Sequence, residues 1–383
     1  MIPAPAAGAD SGVPVRVVHM TSVHDALDTR IFHKECRSLA AEGYAVVLVA
    51  PHDRDETLDA VRIRAVPRPA SRLERITRTS WNVFRAGVGA RGHVYHLHDA
   101  ELLPFGLLLK VLGKRVIYDA HENAPKDILS KHYLPRFART VLSGLVDVLE
   151  RAACACFDGV VAVTPEIARR FAPGKTVVVH NYPLLAEFAP PESSPYENRD
   201  HVVVYIGGLS EIRGVREMIR AVGKVEPGPN VELWLAGRFD PADLEDRLAR
   251  ERGWARTVRL GWRSREQIVS ALRSARVGLL VLHPVPNHLG SLPIKLFEYM
   301  GAGLPVVASR FPAWEAVLGG AGILVDPLDV DAIADALRWL LSHPDEAQRM
   351  GRIGREAVVR QYNWEREVGE LFMLYRRVAG DGR

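Results

Sequence analysis

The sequence predicts an α/β protein made of two Rossmann-like, doubly wound parallel-sheet domains that face a central cleft. Short apolar runs rich in valine alternate with segments of helical period through almost the whole chain. Apolar runs without internal alternation are typical of strands buried on both faces of a parallel sheet. This rhythm is interrupted once, by a segment rich in proline, and then starts again. A chain of 383 residues is also long enough for two domains of ordinary size.

The first domain is expected over residues 13–187. Apolar runs in this part of the chain predict the strands Val15–Met20, Ala45–Ala50, Val94–Leu97, Lys114–Tyr118, Gly159–Val163 and Thr176–His180. Amphipathic segments between these runs, such as Ile31–Glu42 and Arg136–Ala155, predict the helices that cover the sheet.

Residues 188–200 predict a linker, because they combine prolines with serines and charged residues. The second domain is expected over residues 201–362. Its predicted strands are Val202–Ile206, Val231–Ala236, Thr257–Leu260, Val277–Val281, Pro305–Ala308 and Gly322–Val325. The last segment, residues 363–383, carries a predicted helix at Asn363–Val378 that no strand follows.

The composition excludes several classes of protein. A net charge of +4, with basic and acidic residues interleaved along most helices, is too small to indicate a nucleic-acid-binding protein. Cys36, Cys154 and Cys156 make neither a disulfide framework nor a metal-binding set. Residues 1–14 lack the pattern of a signal peptide, and the apolar run around Leu102–Leu112 is too short to span a bilayer. We therefore expect a cytoplasmic protein.

One stretch departs from this charge balance, since Arg62–Arg91 contains eight arginines and a single acidic residue, Glu74. Within it, residues 71–88 mix arginines with Leu73, Ile76, Trp81, Phe84 and Val88. Two interpretations fit this pattern. The segment is either an amphipathic helix that touches anionic lipid at the inner face of the membrane, or a helix that packs its apolar stripe on the sheet and exposes its arginines.

The strongest motif is GSLPIKLFEYMGAGLPVVAS, at Gly290–Ser309. Pro293 suits the first position of a helix, Gly303 suits its C-terminal stop, and the apolar run that follows predicts a buried strand. Helix N-termini bind anions through free amides and the helix dipole. We therefore expect a diphosphate site formed by this helix N-terminus and the amides of Gly290, Ser291 and Leu292.

Glu298 lies five residues after Pro293, which is about 7.5 Å along a helix axis. This is roughly the separation between the phosphates and the ribose of a nucleotide, and a carboxylate at this place can accept hydrogen bonds from both ribose hydroxyls. The alternative is that Lys295 and Glu298 form a surface ion pair on an ordinary helix.

This segment resembles the C-terminal signature of the family 4 retaining glycosyltransferases, whose two-domain fold is called GT-B. Its Pro-x-Lys-x-x-Glu-Tyr-Met pattern is similar to that of one branch of the family. Glu298 matches the glutamate that binds the ribose in the family, and Lys295 adds a positive charge near the phosphates. The family's other glutamate falls at Gly290, so this chain lacks the carboxylate that contacts the donor sugar or phosphate in many members.

The first strand and turn of the second domain resemble the family's Gly-Arg-x-x-x-x-Lys-Gly pattern, whose two cations neutralise the leaving diphosphate. Gly207 and Gly208 form the turn, and Arg213 matches the lysine. Gly208 stands where the arginine is expected, so Arg213, with Lys295, has to supply this charge. Alternatively, Arg213 is a solvent-facing residue of the first helical turn. Two later strand ends resemble the family's glycine turns and add the donor-binding candidates Gly237, Arg238, Gly261 and Trp262.

In the first domain, polar side chains follow the strands that end near Tyr118 and Leu97. His121 matches the family histidine near the donor sugar, although a hydrogen-bonded core histidine fits the same pattern. A metal site at His96, His98 and Asp99 has no clear third ligand, so we expect no metal. Candidates for the acceptor side are Asp28, Arg30, Asp99, Glu101 and Glu122.

The resemblance implies transfer of a sugar from a nucleoside-diphosphate sugar to an acceptor hydroxyl, with retention of configuration and without a metal or another cofactor. The leaving phosphate would itself take the proton of the acceptor, which is a saccharide, a lipid-linked molecule or a small molecule. The final helix looks like the family's crossover segment, which returns to the acceptor-side first domain. Two alternatives stay open: a sugar-nucleotide epimerase, and a non-catalytic sugar-nucleotide-binding protein, the latter because of the losses at Gly208 and Gly290.

Overall fold

The computed structural model describes residues 14–130, 135–188, 196–225 and 231–380. The chain divides into two compact units. Unit 1 contains Met1–Asn181 together with Trp364–Arg383, and unit 2 contains Tyr182–Asn363.

The division between the units differs from the predicted boundaries. Residues 182–187, which the sequence assigns to the first domain, belong to unit 2, where the Tyr182 ring packs against Phe297 with ring centroids 4.7 Å apart. Phe188 and Tyr196, both within the predicted linker, are buried in the unit 2 core. Residues 189–195 of that linker lie outside the described residues.

The described part of unit 1 forms an eight-stranded sheet in the order β3-β4-β2-β1-β5-β6-β7-β8, in which only the β3–β4 pair is antiparallel. Its strands are β1 Arg16–Met20, β2 Ala45–Pro51, β3 Glu56–Leu58, β4 Val61–Val66, β5 Val94–Leu97, β6 Arg115–Ala120, β7 Gly159–Ala162 and β8 Thr176–Val178. The α-helices in the first segment of unit 1, up to Asn181, are α1 Arg37–Ala41, α2 Arg72–Glu74, α3 Ser80–Gly89, α4 Leu103–Val111, α5 Ala124–Leu129, α6 Arg136–Cys156 and α7 Pro165–Ala168. π-helical turns at Ile31–Cys36 and Arg75–Thr79 lead into α1 and α3.

Strands β3 and β4 are not among those predicted from the sequence. In β4 the side chains of Val61 and Ile63 are buried, whereas Arg62 between them is exposed. This alternation is the pattern of a strand with one buried face, not of the doubly buried central strands. The arginines of β4 were instead assigned to the basic stretch.

The described part of unit 2 forms a six-stranded, fully parallel sheet in the order β11-β10-β9-β12-β13-β14. Its strands are β9 Val202–Ile206, β10 Glu232–Ala236, β11 Thr257–Arg259, β12 Val277–Leu280, β13 Val306–Ser309 and β14 Gly322–Val325. Its helices are α8 Val215–Gly223, α9 Leu244–Leu248, α10 Arg265–Ser274, α11 Pro286–Leu289, α12 Ile294–Gly301, α13 Pro312–Leu318, α14 Val330–Ser342 and α15 Pro344–Arg360. All six strands predicted for this part of the chain are present, which confirms two parallel-sheet α/β domains.

The last helix, α16 Trp364–Ala379, is part of unit 1. Trp364 is buried and its Nε1 donates to Ser38 Oγ at 2.9 Å, while Glu367 accepts from the backbone amide of His180 at 2.8 Å. A helix from the end of the chain therefore completes the unit built by the beginning. Among the described residues, no helix combines the length and the apolar character needed to cross a membrane.

In both sheets the strand order changes direction next to the first strand of the unit. β1 lies between β2 and β5, and β9 lies between β10 and β12. Ligands of doubly wound sheets bind outside the carboxyl ends of the strands at such a switch point. The loops after β1, β5 and β6 in unit 1, and after β9 and β12 in unit 2, are therefore the places where a site is expected.

Candidate active site

In unit 2, two cations lie against the glycine turn that follows β9. Lys295 Nζ donates to Tyr205 Oη at 3.2 Å and lies 4.7 Å from the centroid of that ring. Arg213 Nη1 donates to the carbonyl oxygen of Gly208 at 3.4 Å. Among the described residues no carboxylate pairs with either cation. The turn therefore carries two positive charges that are free to meet an anion.

The glycines of this turn leave the space that the cations fill. A Cβ on Gly207 would lie 2.6 Å from Lys295 Nζ, and a Cβ on Gly208 would lie 2.8 Å from Arg213 Nη1. Both distances are shorter than a van der Waals contact. The guanidinium of Arg213 thus lies where a side chain at residue 208 would begin. This gives a physical reason for the glycine at the position where the family pattern has an arginine.

The turn after β12 differs from the expected diphosphate cradle. The amides of Gly290 and Ser291 both donate to the carbonyl oxygen of His288. The carbonyl of Ser291 accepts from Trp314 Nε1 at 2.7 Å, and its hydroxyl donates to the His288 carbonyl at 3.0 Å. Both amides are used within the loop, and the donor-binding role of Gly290 and Ser291 stays a prediction. Their hydrogen bonds to His288 hold the loop in this conformation.

The free donors lie one turn later, at the start of α12. Pro293 has an extended backbone (φ −68°, ψ 134°) and precedes the helix, one residue before its predicted position. The first helical bond runs from the Leu296 amide to the Pro293 carbonyl at 3.0 Å. The amides of Ile294 and Lys295 precede this bond, so they have no partner within the helix. They form the helix N-terminus beside the Lys295 ammonium group.

Glu298 is buried, with 3% of its surface exposed, and it does not pair with Lys295. Its Oε1 lies 2.5 Å from Arg265 Nη1, and Arg265 Nη2 lies 2.6 Å from Glu187 Oε2. Burial opposes the charge of Arg265, but the Glu298 and Glu187 carboxylates outweigh it and hold the pKa of Arg265 above its ordinary value. The surface-pair alternative for Lys295 and Glu298 is wrong. The Glu187–Arg265 pair, which the sequence analysis missed, fixes the Glu298 carboxylate.

The remaining donor-side candidates lie after neighbouring strands of the same sheet. Gly237 follows β10 with φ +159°, and a Cβ there would lie 1.9 Å from the carbonyl oxygen of Gly207. The two turns therefore touch through their backbones. Arg238 is exposed, Gly261 follows β11 with φ +66°, and Trp262 is 69% exposed.

In unit 1, a second polar cluster lies at the carboxyl ends of β1, β5 and β6. His121 Nε2 contacts His24 Nε2 at 3.2 Å, and His121 Nδ1 lies 3.6 Å from Asp119 Oδ2. A hydrogen bond between two imidazoles requires one of them to be neutral. Burial opposes the charge of His24, but its hydrogen bond to Asp28 and the charge of Asp99 raise its pKa to about 9. Burial opposes the charge of His121 as well, but its hydrogen bond to Asp119 and the Asp119 charge raise its pKa too. Carboxylates therefore favour a proton on both sides of this imidazole contact.

Three acceptor-side candidates have structural partners. Arg30 is buried and forms a bidentate pair with Asp119, at 2.9 and 3.0 Å, so its guanidinium is engaged within unit 1. Asp99 is 5% exposed and accepts from the Thr21 hydroxyl at 2.9 Å and the Ser22 amide at 2.6 Å, so it holds the loop after β1. Asp28 accepts from the amides of Arg30 and Ile31 at 2.8 and 2.9 Å.

The other two acceptor-side candidates are Glu101 and Glu122. Glu101 accepts from the Ser22 hydroxyl at 2.7 Å and from Arg75 Nε at 3.1 Å. Glu122 is exposed. Of the five candidates, Glu122 is therefore the one that lies freest at this edge of the sheet, and Glu101 links the loop after β1 to the basic segment.

Behind His121 lies a fully buried network of imidazoles that the sequence analysis did not connect. His19 Nδ1 and His98 Nε2 are 2.9 Å apart, and His98 Nδ1 lies 3.2 Å from Asp119 Oδ2. The hydroxyl of Tyr375, from α16, lies 2.8 Å from His96 Nδ1 and 3.2 Å from His19 Nε2. Burial lowers the pKa of His19 and of His96, so these rings are neutral. The network orients Asp119 and, through it, His121.

The histidine network also contains possible metal ligands other than the set predicted from the sequence. Asp99, named with His96 and His98 in the sequence analysis, binds the loop after β1 instead. Two other groups have ligand atoms within 4.8 Å of one another: His19, Glu35, His96 and His98, and His98, Asp119 and His121. The hydrogen bonds given above already join most members of both groups.

The chain was compared with known proteins. Residues 29–182 match the model of Glycosyltransferase Family 4, and residues 200–343 match the model of Glycosyl transferases group 1. The chain is a glycosyltransferase of the family 4 type. This glycosyltransferase is 26% identical over 308 residues to MMP alpha-(1->4)-mannosyltransferase of Mycolicibacterium hassiacum, which covers 76% of this chain and 73% of the relative. It is 34% identical over 198 residues to phosphatidyl-myo-inositol mannosyltransferase of Mycobacterium leprae, and this match spans half of each chain.

Solved structures confirm the fold of this glycosyltransferase. Sucrose-phosphate synthase from Thermosynechococcus elongatus matches with a TM-score of 0.76 and 20% identity, over 95% of this chain and 99% of that one. Anabaena Alr3699/HepE in complex with UDP and glucose matches with a TM-score of 0.71 and 12% identity, over 94% and 98%. The predicted GT-B fold class is therefore confirmed, whereas the roles assigned to single residues stay predictions.

Proposed function

We propose that this glycosyltransferase binds a nucleoside-diphosphate sugar in unit 2 and transfers a hexosyl group, with retention of configuration, to an acceptor hydroxyl. The observation that carries the proposal is the pair of unpaired cations, Lys295 and Arg213, against the glycine turn after β9. Two fixed positive charges beside a helix N-terminus suit a diphosphate better than any other part of a nucleotide sugar.

The diphosphate would be bound by three kinds of donor. The Ile294 and Lys295 amides point out of the N-terminus of α12, the Lys295 ammonium group is a compact point charge, and the Arg213 guanidinium offers a planar fork. During transfer the bond between the anomeric carbon and the phosphate oxygen breaks while the acceptor oxygen bonds to the same carbon. The leaving phosphate takes the proton of the acceptor hydroxyl, and the two cations stabilise the negative charge that develops.

Glu298 is proposed to bind the ribose. Its carboxylate is acceptor-only, and Arg265 holds it in one orientation at 2.5 Å. A ribose diol gives it two hydrogen bonds, and an analogue without the diol would leave a buried carboxylate without them. This explains why a buried glutamate occurs on the same helix whose first turn binds the phosphates.

We propose that the paired His24 and His121 rings of unit 1 bind a sugar hydroxyl. The rings are 27% and 17% exposed, so they are the accessible members of the histidine network. His121, oriented by Asp119, can exchange its partner His24 for a sugar hydroxyl. The reaction is proposed to need no metal or other cofactor, because cationic side chains and amides supply the charge that a metal supplies elsewhere.

Donor use by single variants tests the proposal. A panel of nucleoside-diphosphate sugars screened by thermal shift identifies the donor, since only a true ligand stabilises the folded state in proportion to its concentration. With that donor, Arg213→Ala and Lys295→Ala are each expected to lower kcat about 100-fold. Arg349→Ala, which removes an exposed arginine of the same unit that pairs with Glu346, is the matched control. Wild-type turnover in both cation variants would reject the site.

A further inference from the structure

Helix α6 has its polar and apolar faces the opposite way round from an ordinary surface helix. The side chains that it buries are small or polar: Ser143, Glu150, Ala153 and Cys154. Ser143 Oγ donates to the Pro125 carbonyl at 2.9 Å, and Glu150 Oε1 accepts from the Tyr118 hydroxyl at 2.9 Å. Glu150 also pairs with Arg170. The polar groups of α6 are thus used inside unit 1.

The outward face of α6 is apolar. Five large side chains along it are exposed by half or more: Phe137 (82%), Val141 (53%), Leu145 (53%), Val148 (63%) and Leu149 (56%). Their spacing of four, four, three and one residues places them in one stripe along a helix. A helix of 21 residues is about 31 Å long, so the stripe runs along the surface for most of that length.

The neighbouring helix α4 extends this stripe into a surface. It packs beside α6 and exposes Leu108 (46%) and Val111 (84%), and Leu112 directly after it is 56% exposed. Isolated exposed apolar residues are common, but two adjacent helices that both turn apolar stripes outward indicate a surface that something covers. We call these eight residues of α4, α6 and position 112 the apolar surface.

The charges around the apolar surface are basic. Arg136 and Arg139 lie at the start of α6, and Lys114 and Arg115 follow α4. The acidic residues of α6 do not offset them, because Asp147 and Glu150 both pair with Arg170 on the inner side of the helix. A second copy placed on this surface would bring basic borders together, which opposes self-association. An anionic lipid surface complements both the apolar stripe and its basic border.

The segment at residues 71–88, the earlier candidate for lipid contact, is less suited to it. Arg75 pairs with Glu101 at 3.1 Å and Arg78 with Glu74 at 3.6 Å, so part of its positive charge is neutralised within the chain. The ring of Trp81 packs toward Phe84, with centroids 5.6 Å apart.

We propose that the apolar surface of α4 and α6 binds the surface of an anionic lipid bilayer, with α6 lying along the interface. The inward polar face of α6 is compatible with a helix that lies on a membrane and not with one that crosses it. The binding does not depend on the transfer reaction. It would hold the enzyme at the surface where lipid-linked molecules are found.

Vesicle flotation tests this proposal on the full chain. Wild type is expected to float with vesicles of phosphatidylglycerol and phosphatidylcholine, and at least tenfold less with phosphatidylcholine alone. The triple variant Val141→Asp, Leu145→Asp, Val148→Asp is expected to lose at least tenfold of the binding to anionic vesicles. Leu328→Asp with Val359→Asp, which are 54% and 52% exposed in unit 2, is the matched control and should bind like wild type. Circular dichroism and Tm should be unchanged in both, because the replaced side chains are exposed.

Three results would overturn the proposal. One is equal flotation of the triple variant and wild type. Another is loss of binding in Leu73→Asp with Ile76→Asp while the triple variant still binds, which would move the contact to residues 71–88. The third is a dimer in sedimentation experiments without lipid that the triple variant abolishes, with no vesicle binding by wild type.

Discussion

Replacing Gly208 with alanine tests whether the position of the Arg213 guanidinium matters for turnover. The added Cβ would lie 2.8 Å from Arg213 Nη1 and 3.5 Å from its Cζ. Unstrained contacts between heavy atoms begin at about 3.5 Å. Nη1 therefore has to move by about 0.7 Å, and its hydrogen bond to the Gly208 carbonyl, at 3.4 Å, is lost.

The size of this shift sets the expected loss. A displacement of about 1 Å in a catalytic group can lower a rate about 100-fold, so a smaller shift predicts a fall in kcat/KM of about 10- to 100-fold. This corresponds to about 1.4 to 2.7 kcal/mol of transition-state stabilisation. The free energy of unfolding should change little, since Gly208 has no positive φ and the displaced atom ends a flexible side chain.

The assay is release of nucleoside diphosphate under kcat/KM conditions, together with Tm. Arg213→Ala and the double variant Gly208→Ala, Arg213→Ala complete a cycle. The double variant should match Arg213→Ala, because alanine at residue 208 acts only by moving the guanidinium. Unchanged kcat/KM in Gly208→Ala would refute the reasoning, and so would a double variant well below Arg213→Ala.

Three further predictions concern ribose binding, turn geometry and pH dependence. Glu298→Gln should raise KM for the donor about tenfold or more but leave KM for a donor analogue without the ribose diol nearly unchanged; equal effects on both would contradict the ribose role. Gly237→Ala should lower Tm by several degrees, because its Cβ would lie 1.9 Å from the Gly207 carbonyl oxygen, and an unchanged Tm would contradict the close approach of the two turns. The pKa of His24 is about 9, above its unfolded value of 6.5, so its stabilisation is complete below pH 6.5 and is lost as pH rises through 9. Urea unfolding should show a loss of at most about 3 kcal/mol over this range, and Asp28→Asn should reduce it; a pH-independent free energy of unfolding in wild type would exclude this account.

The central strands of unit 2, β9, β12 and β13, follow directly from the sequence, because a strand buried on both faces is apolar at nearly every position. β9 and β14 have the predicted bounds, Val202–Ile206 and Gly322–Val325. β4 shows the limit of this reasoning. It exposes one face, so its arginines alternate with apolar residues. The sequence therefore shows a basic stretch here and not a continuous apolar run.

The motif at residues 290–303 predicted the helix that carries Lys295 and Glu298 and the C-terminal end of this helix. Each of these features follows from backbone rules over a few residues. The motif did not predict which of its backbone amides are hydrogen-bonded within the loop. The Gly290 and Ser291 amides are satisfied by His288, and the Ser291 carbonyl accepts from Trp314, 23 residues further along the chain. Which donors remain free depends on these contacts and not on the motif.

By itself the sequence determined two parallel α/β domains and the helix that carries Lys295 and Glu298, whose diphosphate and ribose roles stay predictions. Only the tertiary structure decided the partners of the charged groups. Arg30 pairs with Asp119, 89 positions away, and Arg265, which no motif indicated, holds Glu298. Hydrophobic periodicity is a local property that each segment carries alone, whereas a buried charge takes the partner that folding brings to it from any distance along the chain.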